Sequence, residues 1–348
     1  MRILKALSVA VAALAVLAPH ARAQSQSLPV ALFERYLDSL RQQAGVPGLS
    51  AAIVQGGRVV WDRGYGHQEV DGFVPATADT PYPLLDISQA LSSTVLLQQC
   101  LDLRHLELTD RVRRWLPQFA EESTTVAQVL SHAAPGSSFR YDTGRYAAIA
   151  EVIEQCVGDR YSRILSAEML DRLGMSSSVP GHDLSDNSPN RRYFSSSALD
   201  RYAAILRRTA VPYKVDSRGR PTRSDYSRPS LGASTGIVST VRDLARFDAA
   251  LDDDVLLAAA TRERAWRSSG SSPSGLGWFV QTYNNERIVW HFGLERDAYS
   301  ALYIKVPGRD LSLILLANSD GLAAPYTLSN GNVTVSLFAQ LFLKLFVA

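Results

Sequence analysis

The sequence predicts an α+β domain in which strands from both ends of the chain complete one sheet. Three observations predict it. A hairpin pattern follows a helix near the start, nearly continuous apolar helices occupy the middle, and strand patterns return before a final apolar helix. A composition of 46% hydrophobic and 20% charged residues is that of an ordinary globular protein. We expect a mixed antiparallel sheet flanked by helices, with a mostly helical insertion.

The first elements are a helix and a hairpin. Residues 28–48 place leucines and aromatic residues at three-to-four spacing and reach Gly45, which predicts an amphipathic helix. Residues 49–67 contain two apolar runs joined by Gly56 and Gly57. This pattern indicates two strands and a tight turn.

Two buried helices are expected in the middle of the chain. From residue 86 to 101 the apolar residues are nearly continuous, with Ile87, Leu91 and Val95 on one helical face. A second apolar pattern runs from about residue 144 to 156.

A long polar segment follows, from about residue 176 to 230, with one helical pattern at 198–209. Between Arg191 and Arg228 it carries nine arginines and one lysine against three aspartates. Two interpretations stay open, a solvated surface and a basic rim for an anionic ligand.

The C-terminal part returns to strands. Residues 275–293 and 299–320 give strand patterns with turn signals, and residues 334–348 form an apolar helical pattern.

The N-terminus has the pattern of a secretory signal peptide over residues 1–23. Arg2 and Lys5 precede the apolar run 6–18, and small residues before Gln24 predict cleavage near Ala23. The run is shorter than the roughly 20 residues that a membrane span needs, so we expect no transmembrane anchor. The mature domain, 24–348, is expected to be periplasmic or secreted.

Other classes of function find little support. The formal net charge of +2 gives no field that favours nucleic acid or an anionic membrane. The six histidines and two cysteines lack metal-ligand spacing, so we expect neither a metal nor another cofactor. Cys100 and Cys156 form either a disulfide or two buried thiols, and the sequence leaves both outcomes and the oligomeric state open.

Motifs along nearly the whole mature chain resemble those of the serine β-lactamase and penicillin-binding protein superfamily, specifically its class C-like branch. They occur in the family's order, and the motifs that carry the resemblance are "VPGLSAAIVQGGRVVWDRGYG" at 46–66, "DTPY" at 79–82, "ELTDRVRRWLPQF" at 107–119, "VLSHAAPG" at 129–136, "FRYDTGRYAAIAEVIE" at 139–154, "LGMSSS" at 173–178, "GASTGIVSTVRDLARF" at 232–247, "GLGWFV" at 275–280, "HFG" at 291–293 and "LILLANSD" at 313–320. The resemblance implies an α/β part, 24–67 and 231–348, and a helical part, 68–230, facing each other across a cleft.

The family's site combines Ser-x-x-Lys, Tyr-x-Asn and His-x-Gly or Lys-Thr-Gly, and this chain departs from the first two motifs. The resemblance places Asp86 where the serine belongs and Gln89 where the lysine belongs. Tyr141 is kept, but Thr143 replaces the asparagine. The third motif is intact.

That third motif is His291-Phe292-Gly293, with Gly293 expected to let a substrate lie against the strand. No Ser-x-x-Lys occurs elsewhere in the chain, so a shifted alignment does not restore the pair. The family's usual Thr-Ser-Gly after His132 is also changed, to Ala133, Ala134 and Pro135.

Two interpretations of Asp86 follow. In the first, Asp86 caps the helix that starts here and Gln89 reaches back in a capping box, as in an abandoned active site. In the second, Asp86 acts as nucleophile or general base with Tyr141 and His291 assisting. Tyr141 and His291 also fit as ordinary buried residues.

We therefore expect a catalytically inactive homologue that binds a peptide, a cell-wall fragment or a small carboxylate in the inherited cleft. The alternative is an active hydrolase of esters or amides that uses Asp86, Tyr141 and His291.

Overall fold

The computed structural model describes residues 27–133, 138–185, 188–227, 229–268 and 272–348. The predicted signal peptide lies outside the described residues. None of the described helices has the length and apolar character that crossing a membrane requires.

The fold is built on a seven-stranded sheet, with two smaller two-stranded sheets beside it. The strands are β1 (Gly48–Gln55), β2 (Arg58–Glu69), β3 (Val74–Pro75), β4 (Tyr82–Pro83), β5 (Tyr213–Val215), β6 (Pro221–Arg223), β7 (Val238–Ser239), β8 (Phe279–Tyr283), β9 (Glu286–Glu295), β10 (Tyr299–Val306) and β11 (Leu311–Ala317). The large sheet has the order β3-β2-β1-β11-β10-β9-β8, and neighbouring strands run antiparallel.

Strand β1 comes from the N-terminal hairpin and β11 from the C-terminal part, and the two pair over their whole length, from Leu49 with Ala317 to Gln55 with Leu311. The prediction that both chain ends complete one sheet is confirmed.

Helices cover both faces of this sheet. They are α1 (Leu28–Gln43), α2 (Ser88–Leu96), α3 (Val126–Leu130), α4 (Thr143–Tyr146), α5 (Ile149–Val157), α6 (Tyr161–Leu165), α7 (Ser196–Arg207), α8 (Val241–Asp252), α9 (Ala259–Ala265) and α10 (Leu337–Phe346). The helix predicted over 144–156 is thus two helices, and the helix predicted over 86–101 begins as a 3-10 turn, Leu85–Ile87, and ends in a π turn, Leu97–Leu101.

Alternation along β1 separates two cores. Ala52 and Val54 face the core that contains α2 and α8. Ile53 faces the opposite core, where Phe33 of α1 meets Phe342 of α10. Successive side chains of a strand point to opposite faces, so one strand serves both cores.

Cys100 and Cys156 form a disulfide. It joins the π turn after α2 to the last turn of α5. Of the two outcomes that the sequence left open, a disulfide or two buried thiols, the structure has the disulfide. It links the helix that follows Asp86 to a helix that follows Tyr141.

Candidate functional site

Asp86 lies in the 3-10 turn that leads into α2. The preceding residue, Leu85, has a φ of +52°, in the left-handed region that β-carbon sterics disfavour. His132, across the cleft, has a φ of +51°. Such conformations persist where surrounding contacts hold them in place, and they concentrate at functional sites.

The Asp86 carboxylate points into the cleft, toward strand β9. Its Oδ2 accepts a hydrogen bond of 3.2 Å from the backbone N–H of Leu294. Burial raises the pKa of the Asp86 carboxyl to about 7, against the opposing effect of hydrogen bonds from the N–H groups of Leu294 and Asp86 itself and from Tyr141.

Gly293 makes this contact possible. A β-carbon at position 293 would lie 2.7 Å from the carbonyl oxygen of Leu84 and 2.9 Å from the β-carbon of Leu85. The missing side chain therefore lets the turn with Asp86 approach the strand. Its predicted role toward a substrate stays a prediction, and the close approach of the turn is a second reason for a glycine at this position.

The predicted capping box is also wrong. Neither the 3-10 turn nor α2 has a side-chain hydrogen bond at its N-cap. Asp86 bonds instead to Leu294, which is 208 positions away in the chain, and Gln89 turns away from the helix start. Tertiary partners replace the local cap.

The Gln89 side chain bridges Tyr141 and His132. Its Nε2 donates to the Tyr141 hydroxyl at 3.1 Å, and its Oε1 lies 2.8 Å from Nε2 of His132. Gln89 thus places a neutral amide where the family has a lysine. An amide is a far weaker proton acceptor than an amine.

Hydrogen bonds fix the state of His132. The N–H of Asp142 donates to Nδ1 at 3.1 Å, so Nε2 carries the proton that Gln89 accepts. Burial lowers the pKa of His132 to about 3, and His291 and Arg145 act in the same direction. His132 is a neutral positioning residue, for which the sequence offers only its place within the motif at 129–136.

Tyr141 is half-buried among aromatic rings. Its ring centroid lies 4.5 Å from that of His132 and 5.4 Å from that of Phe292. Burial raises the pKa of its hydroxyl well above the usual range, and the Asp86 carboxylate adds to this shift. Thr143 begins α4 after the N-cap Asp142 and lines the cleft.

His291 is buried and does not line the pocket at Asp86. Its Nδ1 lies 2.8 Å from the carbonyl oxygen and 3.0 Å from the backbone nitrogen of Phe292, and burial lowers its pKa to about 4. The ring lies 6.4 Å from Tyr141, centroid to centroid. The structure therefore brings Asp86, Tyr141 and Thr143 to one pocket and leaves Gln89 and His291 buried behind it.

The pocket at this site has a volume of about 530 Å³. It is lined by Asp86, Tyr141, Asp142, Thr143, Phe292, Leu294, Arg296, Ala324, Tyr326, Thr327, Leu328 and Ser329. The place of the C-terminal segment 324–329 in the pocket wall was not predicted from the sequence, because the segment carries no recognisable motif.

The basic segment lies elsewhere. None of its described basic residues lines this pocket, and four of them pair with carboxylates: Arg201 with Asp171, Lys214 with Asp297, Arg220 with Asp216 and Arg223 with Glu69. These contacts favour the solvated-surface interpretation. Within the described ranges no cluster of His, Cys, Asp and Glu has the form of a metal site.

The arrangement has a direct chemical consequence. Backbone N–H groups that converge beside a nucleophile form the anion site that stabilises the intermediate of acyl transfer. Here the N–H groups of Leu294 and Asp86 converge on the Asp86 carboxylate. The resemblance places Asp86 at the nucleophile position, so its carboxylate lies where such an anion site is expected.

Asp86→Asn is expected to raise the free energy of unfolding at pH 8. The raised pKa means that the folded state binds this proton more tightly than the unfolded chain, so the carboxyl contributes less stability as pH rises from about 4 to about 7. The full shift corresponds to at most about 4 kcal/mol, and water in the open pocket reduces the expected gain to about 2 kcal/mol. Urea denaturation from pH 4 to pH 8 measures it.

His132 and His291 also change the stability with pH, in the opposite sense: their lowered pKa values add stability as pH rises toward about 6.5. Because both proteins contain these histidines, the difference in stability between the variant and the wild type isolates Asp86. A constant difference across this pH range would contradict a desolvated carboxyl.

The fold and the cleft define a member of the serine β-lactamase and penicillin-binding protein superfamily. The family model described as Beta-lactamase matches residues 33–335, so the chain belongs to this family. The predictions of family and fold class are confirmed.

Individual relatives are distant. "Protein flp" of Staphylococcus aureus (strain N315) is 21% identical over 342 residues, which cover 84% of this chain and 64% of that protein. "Penicillin-binding protein 4*" of Bacillus subtilis (strain 168) is 21% identical, with 76% of this chain and 67% of that protein covered. The chain thus spans 64% of the length of the first of these relatives.

Solved structures show the same fold. D-amino acid amidase from Ochrobactrum anthropi SV3, complexed with L-phenylalanine amide, superposes with a TM-score of 0.73 at 17% identity, covering 92% of this chain and 99% of that one. A class C β-lactamase from Rhodobacter sphaeroides gives a TM-score of 0.66 at 16% identity, covering 91% and 99%.

Proposed function

We propose that this protein is an exported, catalytically inactive member of the family that binds a peptide or cell-wall fragment in the inherited cleft. One observation carries the proposal: the Asp86 carboxylate occupies the anion site in which a substrate carbonyl would be polarised. A small carboxylate, the third candidate ligand, would compete with this side chain for the same N–H donors. It is the least favoured of the three.

The neutral Gln89 supports inactivity. A serine or water nucleophile in this family's chemistry needs a nearby base, and the side chain at this position is an amide bonded to Tyr141 and His132. Members of a catalytic set act as a unit, so the loss of nucleophile, base and free anion site together removes many powers of ten in rate.

Export is supported by the disulfide, because such bridges form and persist in oxidising compartments. It is also consistent with the apolar pattern of residues 6–18, which lie outside the described part of the chain.

A second candidate function is favoured by one observation. Asp86 faces the pocket with a pKa of about 7, close to the value that suits a general base at neutral pH. In this alternative, Asp86 activates water for hydrolysis of an ester or amide, with the Tyr141 hydroxyl assisting. His291, the third residue of the predicted set, does not line the pocket.

Incubation with a fluorescent penicillin and a panel of chromogenic esters separates the two candidates. We expect no covalent label and no turnover above background for the wild type. The double variant Asp86→Ser/Gln89→Lys is expected to gain labelling, since it empties the anion site and restores the nucleophile and base. Wild-type turnover that disappears in Asp86→Ala would establish the hydrolase instead.

A further inference from the structure

We propose that the ligand of this cleft carries a protonated amine, which pairs with the carboxylate of Asp86. The inference rests on the proposed function, because it takes the cleft to be a binding site, and it names the chemical class of the ligand group that the site selects.

The first support is an unmatched carboxylate. Among the described residues no lysine or arginine forms an ion pair with Asp86, and the main influences on its pKa are burial and hydrogen bonds, with Glu295 adding a further negative charge. The family position that would supply a cation holds Gln89. A desolvated carboxylate without a cation is unfavourable, and a ligand ammonium would relieve it.

The second support is free acceptor capacity. A carboxylate has about four acceptor positions. The N–H of Leu294 fills one of them, at 3.2 Å from Oδ2. Acceptor capacity therefore remains for a donor that arrives from the pocket, and a primary ammonium has three N–H groups to offer.

The third support is the wall of the pocket. Tyr141, Phe292 and Tyr326 place three aromatic side chains around the space next to Asp86. Aromatic faces attract cations within about 6 Å. A carboxylate and aromatic rings in one pocket favour an ammonium group, which gains from both, over a neutral donor, which lacks the charge, and over an anionic group, which the carboxylate repels.

The remaining charges near the cleft agree with this assignment. Glu295 lies beside the pocket and adds negative potential at Asp86, whereas Asp142, which lines the pocket, is paired with Arg140 at 3.1 Å. Arg296 is exposed at the rim, where solvent screens its charge. An amine-bearing peptide can therefore place its ammonium at Asp86 and a more distant anionic group near Arg296.

The test compares three amines with their N-acetylated forms by isothermal titration calorimetry at pH 8. The probes are phenethylamine, 4-phenylbutylamine and Nα-acetyl-lysine amide, each with and without acetylation of the amine, because alkyl amines titrate at about 10 and are therefore protonated at pH 8. We expect at least one amine to bind roughly tenfold or more tightly than its acetylated form, which keeps the shape and loses the charge. Asp86→Asn should abolish that preference.

Asp297→Asn is the matched control. Asp297 is an exposed carboxylate in the turn between β9 and β10, paired with Lys214 and outside the pocket lining, so its variant should keep the wild-type affinities. Equal affinity for amine and acetylated probes, an amine preference that survives in Asp86→Asn, or no amine binding at millimolar concentration would each overturn the inference.

Failure of this inference differs from failure of the proposed function. Binding of the acetylated probes at equal strength removes the amine pairing and leaves a ligand-binding cleft. Ester turnover that depends on Asp86 removes the inactivity and leaves the amine preference.

Discussion

Replacing Cys100 and Cys156 by alanine is expected to lower the free energy of unfolding by about 4 kcal/mol. The bridge closes a loop with a sequence separation of 56 residues, and constraining a loop of this length in the unfolded chain contributes about that amount. Urea denaturation of the variant and of the reduced wild type measures the loss.

The same bridge should also stabilise the cleft. It joins α5, which follows Tyr141, to the end of the helix that begins beside Asp86. The reduced wild type should therefore behave like the double alanine variant and show faster amide exchange in α2. A difference below about 1 kcal/mol in both proteins would show that the bridge constrains little.

Lys305→Met is expected to cost about 3 to 5 kcal/mol of unfolding free energy. The ammonium is fully buried and contacts Asp248 at 3.0 Å and Asp252 at 2.7 Å. Removing one partner of a buried pair leaves an uncompensated charge, here on α8 against strand β10. Tyr303 and Ser312 still donate to Asp248, which limits the cost.

Lys214→Met is the matched control for this prediction. Lys214 also pairs with an aspartate, Asp297 at 3.1 Å, but both side chains are more than half exposed. Exposed pairs contribute little, so this variant should change stability by less than about 1 kcal/mol. Similar losses in both lysine variants would contradict the importance of burial at Lys305.

Local patterns predicted most of the fold. Neighbouring residues specify the hairpin of residues 49–67: two apolar runs form its strands, and Gly56 and Gly57, both with positive φ, form its turn. The family motifs then related the two chain ends. The break between α4 and α5 was not predicted, because the apolar pattern continues through it without a proline.

The site was harder to predict because its geometry depends on distant residues. An aspartate three residues before a glutamine fits a local cap, and only the approach of β9, made possible by Gly293, gives Asp86 a different partner. His132 offered no separate signal, since one histidine in an apolar motif is compatible with many roles. Its importance follows from Gln89, which lies 43 positions earlier.

In the proposed function, Asp86 is an internal occupant of the anion site. Its carboxylate accepts the N–H of Leu294, and the neighbouring Tyr141 is bonded through Gln89 to His132. The pocket in front of it still offers a carboxylate, aromatic walls and a volume of about 530 Å³.

The proposed function requires that the Asp86 carboxylate lies desolvated in the anion site. A direct titration of this carboxyl group tests that placement. With ¹³C-labelled aspartate, the spectrum should contain one carboxyl resonance that titrates near pH 7 and is absent from the spectrum of Asp86→Asn. If the resonance lost in that variant instead titrates near 4, as an ordinary solvated aspartate does, the carboxylate does not occupy this site and the account is wrong.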